Sequence, residues 1–306
     1  MSTDCEQGLV RLIPPANIND TTMLSSNVPE TEYPTYSAGS TYANGASVIV
    51  GHRAYRNNSG ASLTGVYPPD NLTQWEDMEP TNRWRMFDLY NSTVTQNPDS
   101  IIVEIKPNII VDSISLLNLR GAYVDVISNT PTSGEVFRRR YLLRDSSQVR
   151  SWYAFYFTRR AQKTSITELK LPMHRGATIR VEIHAPGGIA QCGTLLLGKQ
   201  IDIGRLQWGY GFELNSYSRI ETNQTTGEVS IKAGNFAYLP ECNMIIEDNQ
   251  LDAVADIIAK YRDVPSVWII GLRHRVMTVF GLCTSFRPVV NHGAYTDCSL
   301  QIKGFI

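Results

Sequence analysis

No run in the 306-residue sequence approaches the roughly 20 consecutive apolar residues of a membrane helix. The best candidate, Val267-Trp-Ile-Ile-Gly-Leu272, has the length of a strand, so no membrane insertion is expected. An excess of one charge is also missing: 28 Lys and Arg stand against 29 Asp and Glu, a formal net charge of -1. Nucleic acid and anionic membranes both normally demand a basic face, and neither is an expected partner. The residues Met1–Gly8 carry two acids and no apolar core, so a secretory leader is not expected. Five cysteines, Cys5, Cys192, Cys242, Cys283 and Cys298, are odd in number and scattered, with no Cys-x-x-Cys. That pattern argues against a disulfide framework and a zinc knuckle and reads as reduced, mostly buried thiols.

Enzyme signatures are equally scarce. The string Gly188-Ile-Ala-Gln-Cys-Gly193-Thr194 lacks the lysine of a phosphate-binding loop, and there is no Gly-x-Ser-x-Gly, His-Glu-x-x-His or Gly-x-Gly-x-x-Gly. The five histidines are dispersed; His174 and His184 could meet across a hairpin, but no metal or cofactor is expected. Glu76, Asp77, Glu79 and Asp88 lie beside Trp75 and Trp84, the residue types a glycosidase uses, although the spacing reads first as an acid-rich linker. Asn-x-Ser/Thr sequons at Asn19, Asn57, Asn71, Asn91 and Asn223 reflect a chain rich in Asn, Ser and Thr.

What is present is a globular composition, 42% hydrophobic and 19% charged, long enough for two or three domains. Residues 1–35 are polar and punctuated by Pro14-Pro15 and Pro29, and read as an extended arm whose patch Leu9–Ile13 is pinned against a partner subunit. Residues 36–78 hold short strands, turns and aromatics, with Asn44-Gly45 as a hairpin signal. Residues 83–218 alternate strand runs with turn residues, among them Ile101–Ile105, Ser113–Leu117, Tyr123–Ile127, Ser151–Phe157, Ser165–Leu171 and Thr178–Ile183; this predicts an antiparallel, jelly-roll-like β-sandwich. Within it Arg138, Arg139, Arg140, Arg144, Arg150, Arg159 and Arg160 concentrate basic charge, read first as solvated strand faces, second as a subunit interface and third as a surface for a polyanionic glycan. Residues 219–306 predict a small α+β domain, with one amphipathic helix near 250–262 capped by Asn249 and strands over 227–232, 267–271, 277–282 and 299–304.

The segment Tyr36-Ser-Ala-Gly-Ser-Thr-Tyr42-Ala-Asn-Gly45, with Val48-Ile-Val50, Ala54-Tyr-Arg56 and Pro68 to Trp75, resembles the small chitin- and cellulose-type carbohydrate-binding modules, with Tyr36 where a Trp is usual. The run Thr81-Asn-Arg-Trp84-Arg-Met-Phe-Asp88, followed by Ile101–Ile105 and Ser113–Leu117, is similar to a β-domain of tailed-bacteriophage virion proteins. So is the ending Val279–Phe286 with Asp297–Gly304. The second resemblance implies a structural protein of the tail, baseplate or neck.

The expectation is thus a mainly β, non-enzymatic virion component without cofactors. Its expected partners are copies of itself and other virion proteins, with Leu9, Ile13, Arg138, Arg139 and Arg140 as interface residues. The alternative is a receptor-binding protein that grips bacterial surface glycan through Tyr36, Tyr55 and Tyr67, with Tyr42 and Trp75 in the module's core. A depolymerising glycosidase comes third.

Overall fold

The structure, a computed structural model, describes residues 8–90, 93–144, 151–157, 162–222, 229–271, 274–291 and 293–305. Cys5, Asn91, Arg150, Arg159, Arg160, Asn223 and His292 lie outside the described residues. The chain is mainly β, 53% strand and 10% helix, built from antiparallel sheets. It forms two compact units: Met1–Ala16, Val111–Ser113 and Leu197–Ile306 make one, Asn17–Ile110 and Ile114–Leu196 the other.

The first unit is a closed barrel. Strands Ile201–Leu206, Leu9–Ile13, Ser266–Ile270, Thr278–Val289, Tyr295–Gly304 and Phe236–Glu247 pair in that order, and Arg205 and Leu206 pair again with Ile245 and Met244 to close the ring. Closure leaves no unpaired edge at that level, which is how a small all-antiparallel core protects its backbone. Alternation selects the inward residues: Val10, Leu12, Ile203, Met244, Ile246, Trp268, Ile270, Leu300 and Ile302 are buried together. The helix Leu251–Tyr261 adds Val254 and Ile258 to the same core, four residues apart on one face. Asn249 lies in a short 3-10 turn before the helix, and Gln250 occupies the cap position without a side-chain bond, so the expected cap is not made.

Two expectations change here. Residues 9–13 are not an arm: they form an interior barrel strand between Ile201–Leu206 and Ser266–Ile270, with Leu12 and Ile13 fully enclosed by their own chain. The unit boundary also falls at 196/197 rather than near 218, because Ile201–Leu206 and Gly211–Ser216 both pair with Phe236–Glu247.

In the second unit a five-stranded sheet runs Gly134–Leu142, Tyr123–Thr130, Thr178–Cys192, Thr95–Ile105, Met23–Ser26; a three-stranded sheet runs Ile166–Glu168, Ser113–Leu117, Thr194–Gly198, all of it in this unit except Ser113, Leu197 and Gly198. Ile179, Val181 and Ile183 alternate inward along the long central strand, as a half-buried strand requires. The segment 151–157, expected to be a strand, contains the helix Trp152–Phe157. Its uninterrupted apolar run has no period-2 alternation, and such a run does not distinguish strand from helix.

The small module is built from Ser47–Val50, Arg53–Asn57 and Trp75–Pro80, with Thr41–Tyr42 paired to Leu63–Thr64. Asn44-Gly45 forms a turn, but the strands beside it do not pair with each other. The hairpin lies at Gly51-His52, where Val50 pairs with Arg53 and Gly51 takes φ +59.

Candidate functional site

Four groups of side chains are candidates for function, and each follows from its local strands. The first is the ring cluster of the small module. Tyr36 stacks on Tyr42 at 5.6 Å between centroids and meets Tyr67 and Trp75 edge-on, while Trp75 is buried and donates its indole N–H to the Val66 carbonyl at 3.1 Å. Tyr55 is only 6% exposed and packs with Val48, Leu63 and Trp75, so burial pushes its hydroxyl above the usual tyrosine range. Tyr55 is therefore a core residue and not a sugar platform. A module this small needs that ring for its interior. Of the three proposed glycan contacts only Tyr67, at 45% exposure, presents a ring to solvent, and Tyr36 is half-buried within the stack. Asn57 is buried and its amide donates to Tyr42 and Ala61 carbonyls, which makes this sequon a structural element.

The second is a cavity of about 520 Å³ lined by Ile18, His52, Arg53, Glu79, Trp84, Phe87, Asp88, Tyr90 and Thr93, among others. It joins two carboxylates and a tryptophan that the sequence places in an acid-rich stretch. Every charged group lining it is held. His52 lies 2.6 Å from Asp20 and 2.9 Å from Glu30 and packs on Trp84 at 4.5 Å; Arg53 donates to both oxygens of Asp77 at 2.9 and 3.0 Å; Arg85 holds Glu79 at 2.6 Å. Burial raises the Asp88 carboxyl above the usual range, opposed by the Thr93 hydroxyl at 2.6 Å and the Tyr90 N–H at 2.8 Å. Fixed donors and acceptors beside aromatic rings suit a polar ligand with apolar faces, such as a sugar ring.

The third is a ladder of charge on the five-stranded sheet. Arg140 donates twice to Asp125, at 2.7 Å each, and lies over the Tyr123 ring at 4.4 Å; Tyr123 stacks on His184; His184 meets Glu182 at 3.1 Å; Arg180 holds Glu182 at 2.6 Å and Glu104 at 3.2 Å. The strand register places these residues side by side, Arg140 opposite Asp125, Asp125 opposite Glu182 and Arg180 opposite Glu104. Asp125, Glu182 and His184 bring ligand atoms within 4.8 Å of one another, but Arg140 and Arg180 already occupy the two carboxylates. Arg139 pairs with Glu168 at 2.7 Å, and Arg138 with Glu135 at 3.7 Å. Arg138, Arg139 and Arg140 are thus committed to acids of their own unit, on exposed positions of the strand Gly134–Leu142.

The fourth has no counterpart among the sequence expectations. Beyond the barrel, strand Gly211–Ser216 continues to Arg219–Thr222, and Phe236–Glu247 is preceded by Val229–Lys232. Among the described residues, 211–216 pair only with 236–241, and Arg219–Thr222 only with Val229–Lys232: Phe212 with Pro240, Leu214 with Tyr238, Ser216 with Phe236 and Ile220 with Ile231. The result is a two-stranded arm rooted in the barrel wall. A change of register between the two pairings falls near Gly234, where any side chain would strike the Tyr217 carbonyl. Its apolar side chains face solvent, with Ile220 67%, Ile231 68% and, at the root, Trp208 86% exposed; Phe212, Leu214, Tyr217, Val229 and Phe236 are exposed too. The signal was present in the alternation of residues 211–222 and 229–240, but alternation alone does not tell which face, if either, is covered.

No protein-family model matches the chain, and no match was found among the curated proteins.

Proposed function

We propose that this chain is a non-enzymatic structural component of a bacteriophage virion, in the tail, baseplate or neck, that assembles in multiple copies. The observation that carries this reading is the arm. A two-stranded ribbon is marginally stable in water by itself, and a protein that keeps several large apolar side chains exposed on one is equipped to bury them in an assembly. The phage setting rests on the resemblance of residues 81–117 and 279–304. Quantitative mass spectrometry of purified particles tests it: the chain is expected at several copies per particle, and its absence from intact particles would remove the proposal.

A second reading, receptor binding, is favoured by the cavity beside Tyr90, whose ring is exposed near Asp88 and Arg53. It predicts glycan-array binding by the full chain that Tyr90→Ala abolishes without loss of folding.

A further inference from the structure

The arm carries more than a general tendency to associate, because its sequence is complementary to itself. Strands Arg219–Thr222 and Val229–Lys232 form a sheet of two, so among the described residues each has one edge whose backbone groups pair with nothing. Side chains alternate along Arg219-Ile220-Glu221: the two charges share one face and Ile220 takes the other. Within one chain Glu221 already draws Arg219 to 3.1 Å and Lys232 to 3.3 Å, so the charged face carries both signs.

We infer that this arm binds the arm of a second copy of the chain, antiparallel and edge to edge along residues 219–222, about a two-fold axis at Ile220. This register sets Arg219 opposite Glu221 of the partner subunit, and Glu221 opposite the partner's Arg219. On the other face Ile231, Ile220, the partner's Ile220 and the partner's Ile231 form one apolar row, because Ile220 and Ile231 are already paired within each arm. A parallel pairing would put like charges opposite one another and is disfavoured. Two-fold closure uses the same patch on both subunits, the commonest form of self-association. The pairing edge is short, the four residues Arg219–Thr222, below the roughly 20–30 residues per side of a standard interface, so the association is expected to be weak and concentration-dependent. In the sequence from 211 to 240, Glu213, Glu221 and Glu228 stand against Arg219 and Lys232, a formal charge of -1 per copy, so two copies meet with little net repulsion.

The inference rests on the assembly reading and is tested apart from it. The full chain is expected to show concentration-dependent dimers by analytical ultracentrifugation. Ile220→Lys with Ile231→Lys is expected to weaken dimerisation at least tenfold while the melting temperature and far-ultraviolet dichroism persist. Ile220→Cys should form an interchain disulfide on mild oxidation, since directly opposed residues of an antiparallel pair lie about 4.5–5.5 Å apart, within disulfide reach. Leu142→Cys, equally exposed in the other unit, should not. Unchanged association in the lysine variant, a monomer at every concentration, or equal cross-linking at 142 would each overturn this pairing. The assembly reading itself fails only if the chain is missing from particles.

Discussion

Leu12 lies directly opposite Trp268 across neighbouring antiparallel barrel strands, and both side chains are closed to solvent. The pair joins residues more than 250 positions apart in the chain, so the barrel cannot close until the N-terminal strand has docked. Long-range pairing of this kind places the loop-closure cost before its reward in buried surface.

Removing the Leu12 side chain should therefore be expensive. Leu12→Ala is expected to destabilise the chain by about 2–5 kcal/mol, the range for an enclosed leucine. Deleting residues 1–13 should abolish the folded barrel, because two strands would lose a partner each. Denaturant titration followed by circular dichroism measures both. An unchanged midpoint in the deletion would mean that residues 9–13 are a dispensable arm.

The rings of the small module separate by the same measure. Tyr55→Ala should cost about 3 kcal/mol or more, as truncation of a buried aromatic does, whereas Tyr67→Ala should stay within about 1 kcal/mol. Reversal of that order in thermal melts would move Tyr55 back to the surface.

Arg140 and Asp125 give a pH dependence. Asp125 is 1% exposed, and its hydrogen bonds from Arg140 hold its carboxyl below the usual aspartate range despite burial. A depressed carboxylate contributes stability that is present above the unfolded value, about 3.9, and lost as pH falls through the folded one. Arg140→Ala should lower the melting temperature at pH 7, and the gap to the parent protein should shrink as pH falls below about 4. A gap that is constant from pH 7 to pH 2.5 would show that the pair is electrostatically silent.

Thiol reactivity offers a further check. Burial pushes the Cys192 and Cys242 thiols up to about 12 and the Cys298 thiol to about 11. All three are free, as the scattered spacing predicts. At pH 8 a thiol reagent should label none of them quickly in the native protein and all of them in denaturant, since the thiolate is the reacting form. Reduction should leave the melting temperature unchanged. Rapid native labelling of Cys192, read by peptide mass spectrometry, would contradict its enclosure.

Local chemistry was legible wherever one segment holds the whole signal. The strands 101–105, 113–117 and 178–183 announce themselves by alternation and β-branched content, and each lies within an observed strand. The helix 251–261 is visible in the spacing of Leu251, Val254, Ile258 and Tyr261. For residues 151–157 the seven side chains Ser-Trp-Tyr-Ala-Phe-Tyr-Phe satisfy both templates, and nothing local decides between them. The candidate sites were less legible. Glu79, Trp84 and Asp88 could be named, but their meeting with His52 and Arg53 depends on the strand Trp75–Pro80 pairing with Arg53–Asn57.

By itself, the sequence determined a mainly β chain with an amphipathic helix and near-neutral charge, because periodicity and composition are local properties. Only the tertiary structure decided that Leu9–Ile13 is a barrel strand, that Tyr55 is core, that Arg138–Arg140 are paired within their own unit and that residues 211–222 and 229–240 form paired strands with exposed apolar side chains. Each of these turns on which strand lies across the backbone hydrogen bonds. A strand's own side chains mark its two faces but do not name its neighbour.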